Sequence, residues 1–159
     1  MNGGTILGID PGTRFTGIAV LRNRKLVEYQ VKTYLGAWSP KKLQAIIIML
    51  AAVIERYGIR DVAVTVPDSL PDSLGFTQLI GSINALCDRK GIRPYYSTLS
   101  DLKAKYCGGK GNNKDLMAAI ALKYPELVLE YRKEEKNKEG YYHKVFEAVA
   151  AAALLSEFA

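Results

Sequence analysis

Asp10 closes the short apolar run that begins at Ile6, and Pro11, Gly12 and Thr13 follow it directly. A carboxylate at a strand end projects into the crevice where an α/β sheet opens, a common place for a metal ligand. The turn after it frees backbone N–H groups that can approach phosphate. Asp also favours such positions as a simple turn cap, and from these residues alone both readings of Asp10 stay open. Arg14 follows the turn and has the reach to touch phosphate. Lys110 and Lys114 bracket a loop containing Gly111, Asn112 and Asn113, with Gly108 and Gly109 just before it. Long cations on a glycine-rich strip suit contact with a phosphate backbone. A plain surface loop is the competing reading. Asp68 and Asp72 sit in Pro67-Asp68-Ser69 and Pro71-Asp72-Ser73, which read as turn and helix-cap chemistry. Cys87 and Cys107 form no CxxC pair and no zinc spacing, so a reducing compartment fits and neither is marked as a nucleophile.

The charge around these residues is uneven. Residues 1–125 hold 17 Lys and Arg against 9 Asp and Glu, while residues 126–159 hold 5 against 7. A basic body predicts a polyanionic partner such as nucleic acid, with solubility charge as the plain alternative. A hydrophobic share of 48% and a charged share of 24% exclude a disordered chain. With 159 residues, one core over residues 1–159 is expected. The longest apolar run, Ala45 to Ile54, is about half of the ~20 residues a membrane span needs. Residues 1–5 show neither a basic start nor an apolar signal core. The chain is therefore expected to be soluble and cytoplasmic, with no membrane partner.

The elements that must position these groups follow from pattern. Ile6 to Asp10, Thr16 to Leu21 and Leu26 to Tyr34 read as three strands joined by tight turns, an antiparallel meander. Ser39-Pro40 is a helix start, and Leu43, Ile46, Ile47, Leu50, Ile54 and Tyr57 keep helical spacing up to Gly58. Asp61 to Pro67 reads as a buried strand, Ser73 to Lys90 as a helix and Ile92 to Thr98 as a fifth strand. Ser100 is the expected cap of a short helix through Tyr106. Lys114 to Tyr124 reads as a helix, residues 130–140 as a solvated connection, and Tyr141 to Phe158 as a closing alanine-rich helix. Trp38 reads as a packing staple; Phe15, Tyr95 and Tyr96 read as core-edge aromatics, with base stacking as the alternative. The order βββαβαβααα predicts an α/β fold with a mixed sheet and helices on both faces.

Gly8-Ile9-Asp10-Pro11-Gly12-Thr13-Arg14, with Thr16-Gly17-Ile18-Ala19-Val20 behind it, resembles the opening of the RuvC-type Holliday junction resolvases of the ribonuclease H-like superfamily. Val62 to Pro67, Gly81-Ser82-Ile83, the loop from Gly108 to Lys114 and Glu147-Ala148-Val149-Ala150 resemble later family segments in the same order. The resemblance implies a ribonuclease H-like fold with five strands, the first three antiparallel. It implies a metal-dependent endonuclease acting on branched DNA, in which two Mg2+ (or Mn2+) ions ~4 Å apart hydrolyse a phosphodiester. Asp10 and Glu147 are then the implied metal ligands and catalytic acids. His143, four residues before Glu147 on the same helical face, is the implied third catalytic group. Arg14, Lys110 and Lys114 are the implied DNA contacts, and the second helix is the implied seat of a homodimer.

Two departures stand against the pattern. Thr65 occupies the slot where the family's fourth strand carries a glutamate, and Lys144 stands three before Glu147, where a second acid is usual. Asp68 or Asp72 would have to supply the missing charge. The expectation is a nuclease; the alternative is a branched-DNA-binding protein of the same fold that cuts weakly or not at all. The opening motif also resembles the first phosphate loop of actin-type and sugar-kinase ATPases, but one copy in 159 residues does not build their two-domain site.

Overall fold

The computed structural model describes residues 4–69, 71–109, 111–137 and 142–158, without the side chain of residue 137. Alternation along the strands decides which residues meet which helices. Strands β1 (Thr5–Asp10), β2 (Phe15–Arg22), β3 (Lys25–Thr33), β4 (Asp61–Val66) and β5 (Pro94–Thr98) form one sheet in the order β3-β2-β1-β4-β5. β1, β2 and β3 pair antiparallel, whereas β1–β4 and β4–β5 are parallel. Asn23 and Arg24 take positive φ angles of 53° and 67° in the tight β2–β3 turn.

One face of the sheet presents Leu7, Ile9, Ile18, Val20, Val62 and Val64. Helices α1 (Pro40–Tyr57) and α2 (Leu74–Arg89) cover it with Ile46, Leu50, Leu79 and Ile83. Ser39 caps α1 by accepting the Lys42 N–H, Gly58 ends it in the left-handed region at φ 60°, and Ser73 caps α2. Trp38 lies against Gly75, where a Cβ would meet its ring, and its indole N–H donates to Gln78. It is the expected staple between the two helices.

The other face presents Ile6, Ala19, Leu21 and Ala63 to α6 (His143–Ser156), with α3 (Leu99–Cys107) and α4 (Asn113–Lys123) packed beside it. Here the sheet and helix approach closely. A Cβ on Gly8 would run into the Ala148 carbonyl, and one on Gly17 into the Lys144 carbonyl. The alanines of α6 make the matching surface.

Three elements differ from the sequence reading. α3 starts at Leu99 because Thr98, not Ser100, is its cap: Thr98 and Asp101 satisfy each other's backbone N–H groups in a capping box. α4 starts one residue early through the same arrangement between Asn112 and Asp115. Most of the expected solvated connection is helix α5 (Val128–Asn137), following a 3₁₀ turn at Pro125–Leu127. α5 has few apolar residues; Val128 and Tyr131 pack on the core, Tyr131 edge-on to Phe146, and polar links add to this. Tyr29 donates to Glu130 at 2.8 Å, and buried Glu134 accepts the Tyr142 N–H at 3.0 Å, just before α6 begins. Tyr141, the expected first residue of the last helix, and residues 138–140 lie outside the described residues. Among the described residues no helix is long and apolar enough to cross a membrane.

Candidate functional site

Asp10 ends β1 on the α6 face, two residues beyond Gly8 and so on the same side of the strand. Its register partner on β2 is Gly17, and its neighbour on the other side is the end of β4. Because Gly8 and Gly17 let α6 sit flush, the first turns of that helix bring His143, Lys144 and Glu147 onto the strand ends. Asp10, Thr65, His143, Lys144 and Glu147 line one cleft of about 320 Å³, walled by the Pro11–Thr13 turn, Pro67, Phe76 and Leu99. The structure thus brings Asp10, Glu147 and His143 together, although Asp10 precedes His143 by 133 positions in the chain.

Both carboxyls are buried. Burial pushes the Glu147 carboxyl up to about 9, and the neighbouring Asp10 charge and the hydrogen bond between the two groups add to this. Burial also raises Asp10, against the opposing pull of Lys144. Burial and mutual repulsion thus both work against the two carboxyls being charged together. Asp10 Oδ2 is buried with no N–H or hydroxyl donor among the described residues, and Glu147 is the carboxyl beside it. Burial lowers His143, outweighing the attraction of Asp10. Its Nε2 lies 3.4 Å from Glu147 Oε2.

Lys144 is the residue whose position the sequence did not reveal. Its Nζ lies 3.4 Å from Asp10 Oδ1 and donates to the Pro11 carbonyl at 3.3 Å. Spacing marks it only as a missing acid; nothing local says that its long stem reaches back to β1.

The remaining candidates lie elsewhere. Thr65 is buried, and its hydroxyl donates to the Glu147 backbone carbonyl at 2.8 Å. Asp68 is exposed and accepts the Ser100 N–H at 3.0 Å; the Ser100 hydroxyl and then this N–H hold its carboxyl below the usual range. Asp72 is exposed, and neither acid lines the cleft. Arg14 is exposed, stacks over Phe15 with its guanidinium carbon 5.1 Å from the ring centre, and borders a second cleft with Trp38 and Lys42. Lys114 is exposed and pairs with Glu135 at 3.3 Å. Lys110 lies outside the described residues. Tyr95 and Tyr96 are 42% and 41% exposed, so they stand at the open edge of the sheet rather than in its core.

The family model of crossover junction endodeoxyribonuclease RuvC matches residues 6–129, from β1 into α5. The chain belongs to the RuvC family. Two solved structures share the fold over nearly the whole chain. RuvC of Thermus thermophilus in complex with a Holliday junction substrate is 16% identical, with a TM-score of 0.76, covering 94% of this chain and 91% of that one. A second Thermus thermophilus RuvC structure is 15% identical, with a TM-score of 0.69 and the same coverage. No curated protein matches the sequence. The fold is thus ribonuclease H-like, of the RuvC type.

RuvC-type cleavage implies divalent ions, so the donor set has to be tested against them. Hard cations need several oxygen ligands, mostly carboxylate. The cleft offers two carboxyls, and an ammonium already sits 3.4 Å from an oxygen of one of them. Thr65 Oγ1 is spent on the Glu147 carbonyl. Among the described residues no three His, Cys, Asp or Glu side chains converge to hold a metal ion. These residues do not fit a two-ion centre.

Proposed function

We propose that this RuvC-family chain recognises branched DNA, and that its cleft is set for holding a junction rather than for cutting it. The observation that carries this reading is Thr65. Where the resemblance expects the fourth-strand glutamate, a buried hydroxyl is committed at 2.8 Å to the Glu147 carbonyl, so β4 contributes no charge to the cleft. The excess of Lys and Arg over residues 1–125 supports a nucleic-acid partner. Arg14 and Lys114 are exposed and, with Lys110, are the proposed phosphate contacts. A homodimer would explain a preference for a symmetric four-way junction. Gly81 and Ala85, exposed on α2, leave room for a second copy.

A second reading, metal-dependent cleavage, has one observation in its favour: Asp10, Glu147 and His143 line the same cleft. One experiment separates the two. Purified protein is mixed with a synthetic four-way junction or a linear duplex of equal length, in magnesium, manganese or chelator. Binding and cleavage are read separately. Preferential junction binding with no cleavage in any condition is expected. Cleavage that disappears in Asp10→Asn would establish the nuclease instead. Equal affinity for junction and duplex would remove branched-DNA recognition altogether.

A further inference from the structure

Asp10 needs a positive charge because it is buried, and the chain supplies one from its far end. Lys144 Nζ makes two contacts, to Asp10 Oδ1 at 3.4 Å and to the Pro11 carbonyl at 3.3 Å. This position opposes two ordinary preferences. Lys144 lies in the first turn of α6, where the helix dipole repels a cation. Its side chain is only 21% exposed, so the ammonium has surrendered most of its water. The surroundings are shaped to hold it there. A Cβ at Gly12 would strike the Phe15 carbonyl and also come within 3.1 Å of Nζ, and a Cβ at Gly17 would strike the Lys144 backbone. Two glycines of the opening motif thus make the seat in which this one side chain lies.

We propose that the Lys144 ammonium is a built-in counter-cation, filling the place beside Asp10 that a divalent ion would need, so that the cleft is complete without metal. A divalent ion approaching Asp10 Oδ1 meets a positive charge already bonded to that oxygen, and repulsion at this range in a buried site is strong. Replacing the ammonium should therefore open the site to metal. The functional half of the inference, junction binding that needs no metal, rests on the reading given above. The metal half does not, because it is measured without DNA.

Mn2+ is the probe. Wild type, Lys144→Ala and Lys144→Asp are titrated with it in the absence of DNA, following the electron paramagnetic resonance signal of the free ion. Circular dichroism checks folding. Wild type is expected to leave Mn2+ free up to about 1 mM, and Lys144→Ala to gain at least about tenfold in affinity. Lys144→Asp should gain more, at one ion per chain, and lose the gain when Asp10→Asn is added. If Lys144→Asp does not fold, Lys144→Ala and Lys144→Met decide by the same criterion. Tight binding of one Mn2+ by wild type through Asp10 would overturn the proposal. So would folded Lys144 variants that bind no better than wild type. In a second arm, wild-type affinity for a four-way junction is compared in chelator and in magnesium at matched ionic strength. Affinities within about twofold are expected, and loss of binding in chelator alone overturns the proposal. No junction binding in either buffer would sink the functional reading while the Mn2+ titration still judges Lys144.

Discussion

The two faces of the sheet solve the same packing problem with opposite means. Against α1 and α2, the strands present Leu7, Ile9, Ile18, Val20, Val62 and Val64, and large branched side chains from Ile46, Leu50, Leu79 and Ile83 fill the space between. Against α6, the strands present Gly8, Gly17, Ala19 and Ala63 between Ile6 and Leu21, and the helix answers mostly with alanines beside Phe146 and Val149. The first face is held by volume and the second by proximity. Proximity is what the candidate site requires. Only a helix lying flush on the strand ends can set Glu147 against Asp10 and send Lys144 back to Pro11. Among the described residues the bulky face buries no carboxyl in its core, whereas the flush face buries Asp10 and Glu147 at its open end.

The sharpest way to break this contrast is to change volume in opposite senses on the two faces. Leu50→Ala empties a fully buried position on the inner face of α1 and should cost about 2–5 kcal/mol in urea denaturation. Gly8→Ala adds a single methyl under α6, yet its Cβ meets backbone rather than a movable side chain. It should cost about 1–3 kcal/mol and displace Glu147 from Asp10. A Gly8→Ala protein as stable as wild type would show that α6 does not lie flush.

The second test uses pH. Glu147 has a folded value of about 9 against an ordinary 4.5, so between these the folded chain holds a proton that the unfolded chain has lost. Its stabilising contribution is complete below the ordinary value and is lost as pH rises towards 9. His143 acts in the other direction only below its ordinary 6.5, where the unfolded chain takes up a proton that burial denies the folded one. Between pH 7 and 9, stability should therefore fall by up to about 1.4 kcal/mol per pH unit. Glu147→Gln should flatten that decline. A decline unchanged in Glu147→Gln would assign it to other groups.

The smallest effect is expected at Thr65. Thr65→Val keeps the shape and removes the hydroxyl that donates to the Glu147 carbonyl, at a cost of about 1 kcal/mol. The same substitution should leave junction affinity unchanged, because the hydroxyl points into the helix contact and not at a ligand. A large loss of junction binding would place Thr65 at the DNA instead.

Much of this was legible in the chain. The meander, the buried fourth strand and the starts of α1 and α2 follow from alternation, helical spacing and caps that act within a few residues. Asp10 was legible because a Pro-Gly turn announces the strand end. Glu147 and His143 were legible only through the family resemblance. α5 was not legible, because its anchors are polar links to Tyr29 and Tyr142 and only two packed residues, Val128 and Tyr131, rather than a continuous apolar stripe. The start of α3 was misread by one cap, since Ser100 and Thr98 look alike locally and only Asp101 distinguishes them.

The sequence by itself determined the strand and helix pattern, the basic charge of the first 125 residues and the acid at the end of β1, since each depends on neighbours in the chain. Only the tertiary structure decided what the two departures from the family pattern mean. Thr65 and Lys144 are 79 residues apart, and neither has a local partner that reveals its role. Sheet register puts Thr65 under the Glu147 carbonyl, and the close approach of α6 carries Lys144 onto Asp10. Contacts between residues so far apart are set by the packing of glycine against alanine across the sheet, and no spacing along the chain encodes where a lysine stem will end.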